Sequence, residues 1–327
     1  MCHGKGQALG WWSLHSDVKT SSFMRATDSP QLDDYQSRFV ENVRRVVQNN
    51  YLWLPPRIKI LDAGCDPTGR QLWHLARLTK GELIGINVAE GFPSPQALKL
   101  LADIPNATLK RMDAMQLEFP DESFDMVISA NVIEHVADPR RYIQQCCRVL
   151  RKNGVAYFES YPIWTAARGH HIMESMVHDY CGATENYCND GSIIPDWSHL
   201  CYGENQMRSC LEKKLKLNTV NWVLQLLYRS AEFNKIGWWE IRSAFEAAFP
   251  TRDLRTYGEP GASPELRPHG SAEDYEVAGF ELVARKAAQP RLRRTLLRGM
   301  VAYRRRLRLL GYAISRRLQR SPQDGTQ

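Results

Sequence analysis

No run of eighteen consecutive apolar residues occurs in the 327-residue chain, so no membrane-spanning helix is expected. The first twenty residues lack the apolar stretch of a signal peptide. Cysteine is sparse, eight in all, and no C-x-x-C pair is present. That argues against a disulfide framework and against structural zinc. The densest group is Cys181, Cys188, Cys201 and Cys210, separated by six, twelve and eight residues, and no metal is expected there. Cys146 and Cys147 read as small packed hydrophobes. A reducing, cytoplasmic compartment is the expectation. There is no internal repeat.

Acidic side chains are missing from residues 290–323, where Asp324 is the first to appear, while residues 290–327 hold eleven arginines. The rest of the chain carries 32 basic and 35 acidic side chains, so the net charge of +7 belongs to the tail. A nearly neutral body does not suggest a broadly basic nucleic-acid-binding fold. Apolar residues at 43% and charged residues at 24% are ordinary globular values. At roughly 150 residues per domain, the length fits about two domains, or one with an insertion.

A helix is expected over 32–50, with Phe39, Val43, Val46 and Val47 on one side and Pro55-Pro56 ending it. Strand signals at 58–63, 82–86, 107–111, 126–130 and 155–161 then alternate with helical spacing at 70–78, 96–103 and 139–150. Such alternation predicts a parallel sheet with helices on both faces. The rhythm stops at Pro162. Residues 163–236 are rich in Trp, His, Cys and Asn, with helical stretches at 204–216 and 220–233, and read as an insertion covering the site. A helix at 238–249 and a strand at 279–284 resume the pattern. The chain thus divides into 1–54, 55–162, 163–236, 237–287 and 288–327.

The segment IKILDAGCDPTGRQL reads as strand, tight loop and helix start. Gly64 and Gly69 permit close backbone approach, and helix amides can hold an anionic group. A dinucleotide fingerprint would need glycine at position 66, which is Asp66. Arg70 stands where a P-loop would need lysine. Further polar residues close the later strands. Asn87 ends the second, where a side chain can meet ribose hydroxyls. Asp113 follows the third, where a carboxylate can accept from an adenine amino group.

Taken together, LDAGCDPTG, MDAMQLEFPDESFDMVIS, NVIEHVADP and RVLRKNG resemble the motifs of class I S-adenosylmethionine (SAM)-dependent methyltransferases, in particular the small-molecule branch. The resemblance covers about residues 57–162 and the last strand. It implies a Rossmann-like fold, with a seven-stranded, mostly parallel sheet and helices on both faces, a helical insertion after the fifth strand and a basic C-terminal helix. It also implies SAM as cofactor. Asp62 and Gly64 would line the methionine end, and Asp66 and Gly69 share that loop. Asn87 would face the ribose. Asp113 and Ala114 would hold the adenine, with Met112 or Met115 against its ring, and Asn131 would sit near the sulfonium. The first loop is one residue longer than usual, and Asn87 replaces the usual acid, with Glu90 as its alternative.

Methyl transfer to a hydroxyl benefits from a general base. His170 and His171 are the first candidates, ahead of His178 and His199, while a structural role is the other reading of all four. His135, in the EHV motif, is expected to fix its loop. Trp164, Tyr180, Tyr187, Trp197, Tyr202 and Trp222 suit either stacking on an acceptor or a small core of the insertion. In the tail, Leu292, Leu296, Met300, Tyr303, Leu307, Leu310, Ile314 and Leu318 fall on a helical stripe roughly 80° wide, with arginines around it. A stripe of this kind over 291–320 fits an anionic membrane surface, with docking on protein, nucleic-acid contact or disorder as alternatives. The expected function is O-methylation of a sugar-containing, lipid-linked or secondary-metabolite small molecule. Its rival is a non-catalytic, membrane-associated binding protein that retains the fold. Oligomeric state is not legible.

Overall fold

The computed structural model describes residues 29–52, 56–172, 193–258 and 272–286. Seven strands form one sheet in the order β3-β2-β1-β4-β5-β7-β6. They are β1 (Ile60–Ala63), β2 (Leu83–Asn87), β3 (Ala107–Arg111), β4 (Phe124–Ala130), β5 (Leu150–Ser160), β6 (Thr251–Gly258) and β7 (Val277–Arg285). The first five run parallel, and β7 lies antiparallel between β5 and β6. This is the Rossmann-like class I methyltransferase fold that the motifs implied. The strand order reverses beside β1, and the crevice at the carboxyl ends of such strands is where ligands bind in open α/β sheets.

The central strands are apolar runs because helices cover both faces. On one face, α1 (Asp34–Asn50) and α2 (Arg70–Leu75) pack Phe39, Val43 and Leu72 against Ile60, Met126 and Tyr157. On the other, α4 (Pro139–Val149) and α8 (Trp238–Ala248) set Tyr142, Ile143 and Phe245 against Leu61, Val127 and Phe158. Between α2 and β3, α3 (Pro95–Leu101) starts on a Ser94 cap. Asp33 caps α1 in a reciprocal pair with Gln36, which satisfies amides the first turn would leave bare.

The expected helix at 32–50 and the five parallel strands are present, shifted by a few residues at their ends. The strand expected at 155–161 is longer, because residues from Leu150 already pair with β4 across an irregularity. β6 completes the seven strands that the resemblance implied, but its position was not located from the sequence. Its sequence TRDLRTYG is polar and largely exposed, as suits an edge strand.

Within 163–236, the described residues include α5 (Ser198–Cys201), α6 (Glu204–Leu211) and α7 (Leu217–Leu224), which continues into a π-turn over Gln225–Arg229. They share a core of their own, with Ile193, Met207, Val220, Leu227 and Phe233 buried around Trp164. Trp164 and Trp222 therefore belong to packing, one of the two roles open for the aromatic residues. The short α9 (Ala272–Glu276) leads into β7. His178, Tyr180, Tyr187, Cys181 and Cys188 and the whole 288–327 tail lie outside the described residues.

Candidate functional site

The loop after β1 is built by backbone pairing to β2. The amides of Gly64 and Cys65 both donate to the Ile86 carbonyl, at 3.0 and 2.8 Å. Gly64 has φ +96°, and a Cβ there would lie 2.3 Å from Val132 Cγ2, in the loop after β4. The two loops therefore touch at the switch point. α4 fixes the same corner: the Tyr142 hydroxyl donates to the Ala63 carbonyl at 2.9 Å and shares a hydrogen bond with the Ser129 hydroxyl at 2.7 Å.

Asp62, in β1, is 2% exposed and its Oδ2 has no hydrogen-bond partner. Burial, and secondarily the nearby Asp66 carboxylate, push its pKa up to about 8. A buried carboxyl with an unpaired oxygen is costly unless something cationic or donating meets it. An ammonium group would do so, which suits the methionine end of SAM.

Asp66, in this lengthened loop, turns inward instead. Its Oδ1 accepts from the Thr68 amide at 3.0 Å, and its Oδ2 accepts from the Thr68 hydroxyl at 2.5 Å. The Gly69 amide donates to its carbonyl at 3.1 Å. Asp66 thus shapes the turn that leads to Gly69, which starts α2 at φ +75°.

Asn87 departs from the expected role. It is 3% exposed, its Nδ2 donates to the Cys65 carbonyl and its Oδ1 accepts from the Ala89 amide, both at 2.9 Å. Each end of the amide holds one of the two neighbouring loops, so this buried side chain serves to brace the turn after β2. Glu90 is exposed in the turn that follows.

The remaining expected residues stand at the ends of β3 and β4. Asp113 is exposed, and its Oδ1 accepts from the Met115 amide at 2.7 Å, which leaves Oδ2 for an adenine amino group. Ala114 is buried beside it, and Met112 and Met115 are half-buried against the core. Asn131 follows β4 at φ +49°. Its amide donates to the Glu159 carbonyl at 2.9 Å, and its Oδ1 accepts from the Tyr161 amide at 3.0 Å. That ties the ends of β4 and β5 together.

His170 and His171 do not stand as bases. His170 is fully buried, and its Nδ1 accepts from the Ile172 amide at 2.9 Å. Burial first, then His199, lowers its pKa to about 2. His171 Nε2 donates to the Pro162 carbonyl at 2.8 Å, and its ring stacks on Phe233 with centroids 4.9 Å apart. Burial and then His135 lower its pKa to about 3. Imidazoles so depressed are weak proton acceptors at neutral pH, and their bonds instead fasten the turn after β5. His135 Nδ1 lies 3.0 Å from the Glu232 carbonyl, which holds its loop as expected.

Sequence reasoning overlooked two groups. Glu134, beside His135, is 1% exposed; its Oε2 accepts from the Ser160 hydroxyl at 2.7 Å and its Oε1 has no partner. Burial is the main cause raising its pKa. The buried Tyr35 hydroxyl of α1 is likewise unpartnered, with its pKa pushed well up by burial and then by Glu159 and Glu134. The only signal for Glu134 was its place in NVIEHV, where the histidine drew attention. Among the described residues, no three His, Cys, Asp or Glu side chains gather as metal ligands, and no helix is long and apolar enough to cross a membrane.

Residues 61–158 match a family model described as a methyltransferase domain. An uncharacterized methyltransferase of Mycobacteroides abscessus is 37% identical over 90 residues, 28% of this chain and 34% of that protein. The 2-methyl-6-phytyl-1,4-hydroquinone methyltransferase of Synechocystis is 32% identical over 133 residues, 39% of this chain and 40% of its own length. The 27-O-demethylrifamycin SV methyltransferase of Amycolatopsis mediterranei is 30% identical over 128 residues, 37% and 46% of the two chains. The match thus spans between a third and a half of these curated relatives' lengths.

Proposed function

We propose, from the match of residues 61–158 to a methyltransferase-domain model, that the protein moves a methyl group from SAM to an oxygen atom of a small acceptor. The acceptor class is a sugar-containing, lipid-linked or secondary-metabolite molecule. Bound SAM supplies an electrophilic methyl group on a sulfonium sulfur. Oxygen as the methylated atom draws its support from the Amycolatopsis relative, which is named for an O-demethylated rifamycin.

Asp62 carries the reading, because its buried, unpartnered oxygen calls for the cofactor's ammonium. Asp113 takes the adenine amino group on Oδ2. Gly64 keeps side-chain atoms off the loop where it meets Val132. Methyl transfer gains chiefly from alignment and from exclusion of water, and the joined ends of β4 and β5 provide a rigid floor for both. With His170 and His171 buried and their pKa values depressed, the reading assigns the acceptor's proton to Glu134, whose Oε1 is buried without a partner and whose pKa burial raises toward neutrality. The basic segment 291–320 would bring the protein to an anionic membrane surface, a reading supported by its arginines and apolar stripe.

Calorimetry with SAM tests the core of this proposal. Binding by the native protein and its loss in Asp62→Asn are expected. Absence of binding by the native protein would leave a non-catalytic binding protein that keeps the fold.

A further inference from the structure

A cavity of about 470 Å³ opens at the carboxyl end of β5, against the start of α8 and the lead-in to β7. It lies at the same edge of the sheet as the loops after β1 and β4. Its size is within the range of small-molecule sites. Trp164 and Thr165 lie in the turn after β5, Lys235 and Trp239 flank Gly237 at the head of α8, and Asp274 precedes β7. Asp274 Oδ1 accepts from the Trp239 amide at 2.7 Å, which locks two of these walls together.

Two of the lining residues each carry a buried polar atom with no partner, Thr165 Oγ1 and His199 Nδ1. His199 Nε2 donates to the Trp164 carbonyl at 2.8 Å. The proton is therefore on Nε2, and Nδ1 presents a lone pair only. Burial keeps the ring neutral, with its pKa lowered to about 4. Lys235 Nζ stands 5.9 Å from the Trp164 ring centroid, and Trp239 is 55% exposed, with Arg242 Cζ 5.9 Å from its ring centroid.

These groups select against most ligand classes. A wholly apolar ligand would leave Thr165 and His199 unpaired, which a site built for hydroxyls penalises. An anion would meet Lys235, but also the carboxylates of Asp274 and Glu240. A neutral ring bearing several hydroxyls satisfies the set, because each hydroxyl both donates and accepts. Such a hydroxyl can donate to His199 Nδ1 and pair with Thr165, while the ring's C–H face lies on indole.

We infer that this cavity binds a neutral sugar ring, held by Thr165, His199 and Lys235 and stacked on Trp239. In calling the ring part of the methyl acceptor, the inference rests on the methyltransferase reading; sugar binding itself does not.

The test is saturation-transfer NMR on the full-length protein, with the methyl glycosides of glucose, mannose, galactose and N-acetylglucosamine as probes and with benzoate and hydroquinone beside them. Saturation transfer to the ring protons of at least one glycoside is expected, weakened at least fivefold in affinity by Trp239→Ala and by Thr165→Val. Trp239 is exposed, so its variant remains informative if Thr165→Val fails to fold. SAM affinity, measured in parallel, should be unchanged in both variants. Transfer to no glycoside, transfer to benzoate or hydroquinone alone, or glycoside binding unaltered in Trp239→Ala would overturn the proposal. If glycosides bind as expected but SAM does not, the sugar site stands and the methyl-transfer reading falls.

Discussion

Gly64 and Val132 meet so closely that the first has no room for a side chain. A Cβ on Gly64 would lie 2.3 Å from one Val132 methyl and 2.8 Å from the other. The loops after β1 and β4 are thereby set at a fixed separation, and the crevice between them keeps its shape.

Gly64→Ala is accordingly expected to destabilise the protein by roughly 1–3 kcal/mol, from overpacking and from φ +96°. Adding Val132→Ala should restore the part due to the clash and leave the backbone part. Urea denaturation of the three variants measures both.

Asp62 makes stability and cofactor binding depend on pH. The native state holds this proton to about pH 8, whereas the ordinary carboxyl releases it near 3.8. Across that window the native state binds more protons, so this group's contribution to stability falls as pH rises, by up to about 1.4 kcal/mol per pH unit. Asp62→Asn should lack that slope in denaturation curves taken from pH 5 to 8. Binding of a cationic ammonium favours the ionised form, so SAM affinity should rise with pH up to about 8. Calorimetry in buffers of different ionisation enthalpy should show a proton released.

Asp113→Ala should weaken SAM binding by roughly 1.5–3 kcal/mol, the scale of one charge-assisted hydrogen bond. Asp113→Asn separates two effects. It can keep the bond to the Met115 amide but sets an NH₂ group before the adenine amino group. Equal affinity of Asn variant and native protein in calorimetry would remove Asp113 from the cofactor site.

Glu134→Gln should lower kcat by about 10²–10⁴-fold, the usual worth of a general base, with SAM affinity retained. His171→Ala should instead lower Tm without adding or removing an ionisation near pH 6.5 in the rate profile. A kcat loss confined to the histidine variant would reverse the two assignments.

A chain ending at Ala288 should keep its melting transition and its SAM affinity, because every described element precedes that point. It should no longer sediment with anionic vesicles. The full-length protein should do so, and less as salt rises. Full-length protein left in the supernatant at low salt would end the membrane reading.

Much of the fold was legible in the sequence. Strands buried on both faces must be apolar throughout, so ILDA, LIGIN and FDMVISA announce themselves, and the spacing of Phe39, Val43 and Val47 announces α1. β6 was not legible, because an exposed edge strand has no apolar pattern to read. Asp62, Gly64 and Asp113 fall at the carboxyl ends of β1 and β3, as their places after apolar runs suggested, since the ends of neighbouring strands converge when the sheet is parallel. What tertiary structure alone decided is where each polar side chain spends its bonds. Asn87 has the chemistry to meet a ribose, yet its amide bridges Cys65 and Ala89. His170 and His171 have the chemistry of bases, yet burial and neighbouring imidazoles depress them, and the Ile172 amide and the Pro162 carbonyl each take one ring nitrogen. Residue type sets what a group can donate or accept, and only the packed chain sets which partner is within reach and whether water is excluded.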